Sequence, residues 1–424
     1  MNDAPPDIRY PGHHADSTAL ATIEQLAHVI AEHVRPGPIV RRSLAEAAGC
    51  VLAEPIHADD DYPAFEKAMM DGYAVRAADV AAAPVELVVT SEIEAGPAAE
   101  LTIGPGQAAR INTGAPLPRG ADTVIMIERV EQRNGGRRVR ILDPVRTAKH
   151  VAATGSIRRR GDTVLTAATR LGPAQIAAAA SAGAADVAVY QPPRVAIVST
   201  GNELVAPGQV RTTGQIYDSN GPCLALLARE LGARVVDLGI CPDETAALAN
   251  RMKEALQCPI VVAIGGMAMG SKDLVPGVFR RLGVRWLVHG VNLRPGRPIG
   301  YGIGPDQQHV FGLPGNPVSC FVGFVLFVRI AIHGLQGRPP RLPAFWKARL
   351  TADVKAARDP RPACLPARIG VGADGQLEAA PVTWRGSGDP FGLAEANALI
   401  LHARGSDAVT IGSPVDVFAL GPIE

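Results

Sequence analysis

The sequence predicts a multidomain α/β protein that combines a parallel-sheet α/β domain, a helical domain interrupted by a β-rich insertion, and a small C-terminal β domain. The chain has 424 residues, more than a single hydrophobic core usually organises, so several domains are expected. Strands and helices alternate regularly between residues 194 and 334, which is the pattern of βαβ units. Short strand-like runs separated by Gly and Pro occupy the flanking stretches and favour β-rich units there.

Composition and charge exclude several classes of function. The 42 Lys and Arg residues balance 41 Asp and Glu residues, so the net charge of +1 gives no field that would attract nucleic acid or an anionic membrane. The six cysteines include no Cys-x-x-Cys pair, which favours reduced thiols over a zinc site. We find no secretory signal and no apolar run near the roughly 20 residues of a membrane span. A cytoplasmic protein is therefore expected, with no nucleic-acid or membrane partner.

Helical segments frame the β-rich insertion. Residues 1–16 are rich in Pro, His and Asp and predict a disordered leader. Ser17 or Thr18 is expected to cap the first helix, and residues 43–49 have the pattern of a capping box closed by a C-terminal glycine. Alanine-rich helical character returns at residues 163–184. The similarity of these segments suggests one helical domain that the insertion interrupts.

The α/β stretch supplies the most regular signal. Apolar β-branched runs predict strands at residues 195–199, 234–238, 260–264, 286–288 and 309–311. Periodic apolar positions predict helices at residues 219–231, 244–256, 274–282 and 317–335. This alternation predicts a parallel sheet that is covered by helices.

Three loops follow directly after predicted strands: residues 200–204, 265–270 and 313–317. Because open α/β sheets bind ligands beyond the carboxyl ends of their strands, we expect these loops to meet at one binding edge. The glycines of the middle loop would let the backbone approach a ligand closely and adopt positive φ. Asp273 follows at the start of the next helix, where it either caps the helix or coordinates a cation.

The predicted domain boundaries follow from these changes in pattern. A Pro-rich linker at residues 338–343 precedes further strand-like runs at 348–351 and 414–418. The predicted domains are a leader at 1–16, a discontinuous helical domain at 17–57 and 147–190, an inserted β-rich domain at 58–146, an α/β domain at 191–337, and a C-terminal β domain at 338–424.

Six ordered motifs resemble one known family. They are Asp71-Gly-Tyr-Ala, Thr113-Gly-Ala-Pro, Ser199-Thr-Gly-Asn-Glu-Leu, Gly214-Gln-Ile-Tyr-Asp-Ser-Asn220, Gly312-Leu-Pro-Gly-Asn-Pro-Val-Ser319 and Gly386-Ser387. Taken singly, the first two would predict only a hairpin turn and a loop. Together their order and spacing resemble the molybdopterin molybdenumtransferases, the family of MoeA and the gephyrin E domain, over nearly the whole chain after Ser17.

The resemblance implies an activity and an assembly. It implies a four-domain, elongated subunit that forms a homodimer and inserts molybdate into adenylylated molybdopterin, with release of AMP and the assistance of Mg²⁺. It also implies handover of the finished cofactor to molybdenum enzymes. The residue chemistry agrees, because a dianionic molybdate and a phosphorylated pterin require fixed cations and N–H donors, whereas Mg²⁺ prefers carboxylate oxygens.

The resemblance further implies which residues form the site. Catalytic roles fall on Asp71, Thr113, Glu203, Asp243 and Asp273, with Asp243 and Asp273 as metal ligands. Substrate binding falls on Gly265, Gly266, Gly270, Ser271, Arg294, Arg297, Pro314, Gly315, Asn316, Pro317, Ser319 and Ser387. Simpler roles stay open for two of the acids, since Asp243 is also placed to cap a helix before Glu244 and Glu203 to anchor its loop.

Arg294 and Arg297 are assigned to oxyanion binding. Pro295 and Gly296 between them permit a tight turn that holds both guanidinium groups toward one pocket. The resembled family usually has lysines at these positions, and a planar guanidinium binds an anion with a different geometry from a point charge. Without the family context, the same four residues would predict only a surface turn.

Three motifs depart from the family pattern. Ala68 stands where the family has a serine, Ser156 and Ile157 stand where it has two acidic residues, and Ala268 stands where it has a serine in the glycine-rich loop. Polar groups near the implied site are therefore missing. This leaves a second hypothesis beside the enzyme: a paralogue that binds or carries molybdopterin, or the finished cofactor, without completing it.

Overall fold

The computed structural model describes residues 20–96, 101–267, 274–403 and 407–421. Its contacts divide the chain into two compact units: unit 1 comprises Met1–Val40 and Tyr190–Glu424, and unit 2 comprises Arg41–Val189. Parallel and antiparallel sheets, covering helices and a closed barrel confirm the expected multidomain α/β class. The finer domain boundaries given above stay a prediction.

The elements are named in chain order. The α-helices are α1 (Ile23–His33), α2 (Pro173–Ser181), α3 (Asn220–Glu230), α4 (Thr245–Ala255), α5 (Leu274–Arg281), α6 (Pro317–Gly323), α7 (Arg329–Leu335) and α8 (Pro390–Ala394). The strands are β1 (Ile39–Ser43), β2 (Ile56–His57), β3 (Lys67–Ala68), β4 (Gly72–Val75), β5 (Val85–Ile93), β6 (Gln107–Ile111), β7 (Thr123–Met126), β8 (Val130–Arg133), β9 (Arg138–Ile141), β10 (Val151–Ala152), β11 (Thr163–Leu165), β12 (Asp186–Tyr190), β13 (Arg194–Thr200), β14 (Leu204–Val205), β15 (Ile216–Tyr217), β16 (Arg234–Cys241), β17 (Ile260–Ile264), β18 (Arg285–His289), β19 (Gly300–Ile303), β20 (His309–Leu313), β21 (Trp346–Leu350), β22 (Ala363–Val371), β23 (Leu377–Pro381), β24 (Ala398–His402) and β25 (Pro414–Ala419).

Unit 1 is built on a six-stranded sheet with the order β16-β13-β17-β20-β19-β18. The first four strands are parallel, whereas β19 pairs antiparallel with both β20 and β18. The sequence predicted only parallel strands and missed β19, whose Gly-Tyr-Gly-Ile sequence lacks a β-branched run. An antiparallel edge on an otherwise parallel sheet is common among α/β folds.

Alternating side chains of the central strands pack into two cores on opposite faces of the sheet. Val195 and Ile197 of β13 join the core that contains α1, α3, α6 and α7, while Ala196 and Val198 join the core that contains α4 and α5. All five residues of β17 are buried, and so are all five of β20. Such strands need apolar side chains on both faces, which explains the unbroken apolar sequence of β17 and of β20 after His309.

Two local helix predictions near the N-terminus need correction. Thr22 is the residue that caps α1, with its Oγ1 accepting the Gln25 N–H at 3.1 Å, while Ser17 and Thr18 lie outside the described residues. The predicted helix at residues 43–49 is wrong, because the chain forms turns there. Gly49 instead donates its N–H to the Leu171 carbonyl at 2.8 Å, so pairing with a distant segment ends the local turn.

The apolar segment Pro317–Leu335 also corrects an expectation. It runs through α6, a π-helical stretch at Phe324–Val328 and α7, and among the described residues it is the one helix that is long and apolar enough to cross a membrane. No such run was expected from the sequence. The structure places 83% of its most apolar stretch inside the protein, as in the central helix of a packed core.

Separate β structures complete both units. In unit 2, a sheet has the order β7-β4-β6-β5-β9-β8 and carries the loops that contain Asp71 and Thr113. In unit 1, β21, β23, β22, β24 and β25 close into a barrel whose interior is filled by apolar side chains. The C-terminal β structure expected after the Pro-rich linker is therefore this barrel.

A buried Tyr–His pair lies within the sheet of unit 1. Tyr301 Oη and His309 Nδ1 are 2.9 Å apart and share a hydrogen bond, and the two rings stack. Burial lowers the pKa of His309 from 6.5 to about 4, with repulsion from His33 as a smaller cause. The folded protein therefore holds this imidazole neutral.

We predict that His309 makes unit 1 sensitive to mild acid. The stabilising effect of the neutral imidazole is fully present above about pH 6.5 and is lost as the pH falls toward about 4, amounting to about 3 kcal/mol. The substitution His309→Gln should flatten the pH dependence of unfolding in this range, whatever its effect on stability at neutral pH. Urea unfolding followed by tryptophan fluorescence measures this, because Trp286, Trp346 and Trp384 all lie in unit 1.

The matched control for this experiment is His28→Gln. The His28 side chain is 61% exposed. The variant His28→Gln should therefore show the same pH dependence of unfolding as the wild type. Parallel stability curves for the wild type and His309→Gln would show that the buried pair does not set the acid sensitivity.

Candidate functional site

The predicted loops of unit 1 meet at the carboxyl edge of its sheet. The Gly265 N–H donates to the Leu313 carbonyl at 2.9 Å, joining the loops after β17 and β20. Thr200 Oγ1 donates to the Ile264 carbonyl at 3.1 Å and joins the end of β13 to that of β17. Asn220 Nδ2 donates to the Gly315 carbonyl at 2.6 Å, so the start of α3 is tied to the same edge. These contacts build the edge at which open α/β sheets bind ligands.

The glycine-rich loop after β17 has the backbone that its sequence predicts. Gly265 and Gly266 have φ values of +89° and +60°. A methyl group added at Gly265 would also lie 2.6 Å from the Thr200 carbonyl oxygen, so a larger residue does not fit. Ala268, Gly270, Ser271 and Asp273 lie outside the described residues, and the roles assigned to them stay predictions.

Glu203 and Asp243 occupy neighbouring exposed loops. The Gly201 N–H donates to the Cys241 carbonyl at 3.2 Å, and the Asp243 N–H donates to Asn202 Oδ1 at 3.0 Å. Asp243 is not the cap of α4, because that position belongs to Glu244. The carbonyl of Glu203 accepts the Ile216 N–H at 2.8 Å, so its backbone anchors the loop while its carboxylate belongs to the exposed surface.

A cavity of about 1000 Å³ lies beside this edge within unit 1. Among the predicted site residues, its lining includes Arg294, Arg297, Asn316, Ser319 and Ser387. We call it the cationic cavity, since Lys355 and Arg361 also line it. Among the described residues, neither arginine of the predicted turn nor Lys355 has an acidic partner within ion-pair distance. Asp353 also lines the cavity, and its Oδ1 accepts the Ile411 N–H at 2.7 Å. Four cations against this carboxylate leave the lining with an excess of positive charge.

The turn from Arg294 to Arg297 is fixed by the C-terminal barrel. The Arg294 N–H donates to the Pro362 carbonyl, and the Cys364 N–H donates to the Arg294 carbonyl, both at 2.8 Å. Pro295 and Gly296 are buried, whereas Arg294 is half-buried and Arg297 is exposed. The turn thus holds both arginines at one cavity, as its sequence predicts, while their role in binding stays a prediction.

The motif around Asn316 joins the sheet edge to the segment that contains Ser387. Asn316 Nδ2 donates to Ser387 Oγ at 3.1 Å, and the Val318 N–H donates to the Ser387 carbonyl at 3.0 Å. Pro314 and Gly315 shape the preceding turn, and Pro317 begins α6. Residues about 70 positions apart in the sequence are therefore brought to one wall of the cavity.

Sequence reasoning missed two cations of this cavity. Arg361 lies in a Pro-rich segment without a motif, and its guanidinium donates to both Asp359 carboxylate oxygens and to the Leu293 carbonyl. Lys355 lies on the segment that follows β21. The only local signal was their positive charge, and folding of the barrel beside the sheet is what brings them to the cavity.

Asp71 and Thr113 form a second polar site, which lies in unit 2. Asp71 Oδ1 accepts the Thr113 N–H at 2.6 Å and the Thr113 Oγ1 hydroxyl at 2.8 Å. The backbone hydrogen bond and then the side-chain hydrogen bond lower the pKa of Asp71 below its usual value. The two motifs are therefore one structural unit that presents an ionised carboxylate, and neither is only an isolated turn.

Two of the three departures from the family pattern lie in unit 2. Ala68 is 1% exposed, and its carbonyl accepts the Gly114 N–H at 2.8 Å next to the Thr113 loop. Ser156 and Ile157 form an exposed turn, and the Ile157 N–H donates to the Tyr62 carbonyl at 3.0 Å. The missing serine is thus replaced by a small residue in a packed site, whereas the missing acids are replaced on the surface.

Comparisons with known proteins agree with this arrangement. Residues 17–183 match the family model described as the MoeA N-terminal region (domain I and II), and residues 196–334 match the probable molybdopterin binding domain. A molybdopterin molybdenumtransferase from Nostoc sp. is 37% identical over 383 residues, which are 88% of this chain and 87% of the relative. A Bacillus subtilis protein of the same name is 36% identical, with 87% of each chain covered. The chain belongs to the molybdopterin molybdenumtransferase family.

A solved structure supports the same conclusion. The molybdopterin biosynthesis MoeA protein from Pyrococcus horikoshii superposes with a TM-score of 0.80 at 29% identity, covering 95% of this chain and all of the other. Family membership confirms the resemblance, the expectation of a transferase and a role in molybdenum cofactor biosynthesis. It does not favour the non-catalytic carrier.

We predict that Thr113→Val raises the pKa of Asp71 toward its usual value without restoring it completely. Valine removes the hydroxyl but leaves the backbone N–H, which is the larger cause of the lowered pKa. Thr113→Ser keeps both donors and should leave the pKa unchanged. Carboxyl ¹³C NMR titration of Asp71 measures the difference. A pKa in Thr113→Val equal to that of the wild type would show that the side-chain hydrogen bond has no effect.

Proposed function

We propose that this protein transfers molybdenum from molybdate to adenylylated molybdopterin with release of AMP. The observation that carries the proposal is the cationic cavity, where Arg294, Arg297, Lys355 and Arg361 line one space together with neutral polar side chains and the Asp353 carboxylate. Molybdate is a dianion, and hydrogen bonds to charged groups are worth about 1.5–3 kcal/mol each. A cavity with an excess of cations, three of which form no ion pair among the described residues, suits such a ligand.

The cavity also offers groups that orient an anion. Asn316 and Ser387 are already joined by a hydrogen bond, and Ser319 lines the same wall. Planar guanidinium groups present paired donors, so Arg294 and Arg297 would fix the direction of the molybdate oxygens as well as neutralise its charge. In this proposal they hold the oxyanion in place, and the loops at the sheet edge bind the adenylylated pterin.

We propose that Asp243 and Asp273 would hold Mg²⁺. Carboxylate oxygens are the donors that Mg²⁺ prefers, and this ion commonly binds through one or two carboxylates together with substrate phosphates. The Asp243 backbone is held by Asn202 and its side chain lies on an exposed loop, so it fits that donor set. When bound, the ion would neutralise negative charge on the adenylate phosphate. Glu203 on the neighbouring loop would supply a further carboxylate to the reaction. The catalytic role that the resemblance implies for Asp71, in unit 2, stays a prediction.

An assay of AMP release tests the proposed function. Purified protein is incubated with adenylylated molybdopterin, Mg²⁺ and molybdate, and AMP is measured against an uncatalysed control. We expect release that depends on both protein and molybdate. Tight binding of molybdopterin without any AMP release would instead support the carrier hypothesis.

We predict that Arg297→Ala raises the half-saturating molybdate concentration about tenfold or more. The variant loses a charged hydrogen-bond donor, while molybdopterin binding should change little. Arg297→Lys keeps the charge and should be largely tolerated. Arg285→Ala, on an exposed position outside the cavity, is the control and should behave as the wild type. Unchanged molybdate saturation in Arg297→Ala would refute the assignment of this turn to the oxyanion.

We further propose that the protein acts as a homodimer in the cytoplasm and hands the finished cofactor to molybdenum enzymes. Support for the dimer and the handover comes from the family resemblance, and support for the cytoplasmic location comes from the cysteine pattern and the absence of a recognisable secretory signal in the sequence. A sedimentation-equilibrium mass equal to that of one chain would refute the dimer.

A further inference from the structure

A second cavity of unit 1, of about 410 Å³, shares no lining residue with the cationic cavity. It lies between the loop that follows β14, the beginning of α3 and the second half of β16, and we call it the Asp218 pocket. Its walls are largely apolar, with side chains from Leu204, Val205, Pro207, Pro222 and Ile240. The volume falls in the range of about 300–1000 Å³ that is typical of small-molecule sites.

Asp218 places a carboxylate oxygen at this pocket. The residue is only 7% exposed, and its Oδ1 accepts the N–H groups of Asn220 at 3.1 Å and Gly221 at 3.0 Å. Its Oδ2 accepts no hydrogen bond from the described residues. A methyl group added at Gly221 would lie 2.7 Å from Oδ2, so the missing side chain leaves this oxygen uncovered.

Ser199 supplies a second, independent sign of a missing ligand. It is 1% exposed, and its Oγ has no hydrogen-bond partner among the described residues. The same methyl position at Gly221 lies 3.2 Å from this Oγ, so the hydroxyl and the Asp218 carboxylate face one point of the pocket lining. Buried polar groups are normally paired, and leaving one unpaired costs about 1–3 kcal/mol.

The charge of the pocket determines which kind of ligand it accepts. Asp237 contributes a second carboxylate, of which Oδ1 accepts the Gly239 N–H at 2.9 Å. Two carboxylates repel phosphate and molybdate, so the pocket does not suit the anionic parts of a substrate. It suits a flat ring that brings hydrogen-bond donors, because the walls are largely apolar and the two carboxylates are acceptors, while Gln209 adds an amide.

We propose that the Asp218 pocket binds the pyrimidinone edge of the pterin. On that edge a ring N–H and the 2-amino group are adjacent donors, which a carboxylate accepts as a pair. The apolar walls would then contact the faces of the ring. This inference rests on the proposed function, since that function supplies the pterin, and it separates the pterin site from the oxyanion site.

Two matched probes test the proposal directly. 6,7-Dimethylpterin carries the 2-amino donor, whereas 6,7-dimethyllumazine has an oxygen in its place, and both are followed by their fluorescence. We expect the wild type to bind the pterin at least about tenfold more tightly than the lumazine, the effect of one charged hydrogen bond. Asp218→Asn keeps an oxygen for the Asn220 and Gly221 N–H groups, and it should abolish this preference. Glu254→Gln, on an exposed position of α4, should leave it unchanged.

The variant Asp237→Asn keeps the test decisive if Asp218→Asn does not fold, because only Asp218 of the two accepts N–H groups at the beginning of α3. The affinity of Asp237→Asn for the pterin should fall severalfold. Equal affinities of the wild type for both probes, or wild-type binding by both variants, would overturn the proposal, as would a site that binds only a divalent cation. AMP release by a wild type that shows no pterin preference would overturn this inference and leave the proposed function standing. A clear preference for the pterin without any AMP release would overturn the proposed function and leave this inference standing.

Discussion

Burial of β17 and β20 on both faces is the constraint on which the rest of unit 1 depends. All ten of their residues are buried, and the one polar side chain among them, that of His309, is already bonded to Tyr301 Oη. Backbone N–H and carbonyl groups that are not used by the sheet are first found at the residue after each strand. Gly265 and Pro314 stand at these positions, and the hydrogen bond from Gly265 to Leu313 fixes the two loops to each other. The packing that stabilises the sheet therefore also determines where these loops meet.

The C-terminal barrel adds what the sheet cannot supply. Backbone hydrogen bonds between Arg294 and the beginning of β22 join the turn after β18 to the barrel. The side chain of Arg361 adds a bond to the Leu293 carbonyl at 3.2 Å. These bonds hold the beginning of the turn, and the Val291 N–H holds its end by donating to the Arg297 carbonyl at 2.9 Å. The backbone of both arginines is therefore fixed without a partner carboxylate. The site of unit 1 is thus a property of the sheet and the barrel together.

Sequence reasoning worked where local pattern and tertiary structure agree. The bounds of β17 were predicted correctly, because a strand between two parallel neighbours needs an unbroken apolar run. It failed at residues 43–49, where the Gly49 hydrogen bond to Leu171 overrides a local helix signal. It also missed β19, which contains two glycines in four residues. Lys355 and Arg361 belong to no motif, and only the folded barrel reveals that they line the cationic cavity.

The cations of the cationic cavity differ in how they are held, and this difference matters for binding. Hydrogen bonds from Arg361 are the main reason that the pKa of Asp359 is lowered to about 2. A carboxylate with so low a pKa stays ionised throughout the neutral range, so Arg361 is a fixed part of the wall with its charge largely balanced. Arg294, Arg297 and Lys355 form no ion pair among the described residues, although the charge of Arg294 also helps to lower the pKa of Asp359. Their charge remains available to an incoming anion. The carboxylates of Asp218 and Asp237, in contrast, line a separate pocket. Unit 1 therefore has one cavity that suits an anion and another that suits a neutral ring with hydrogen-bond donors.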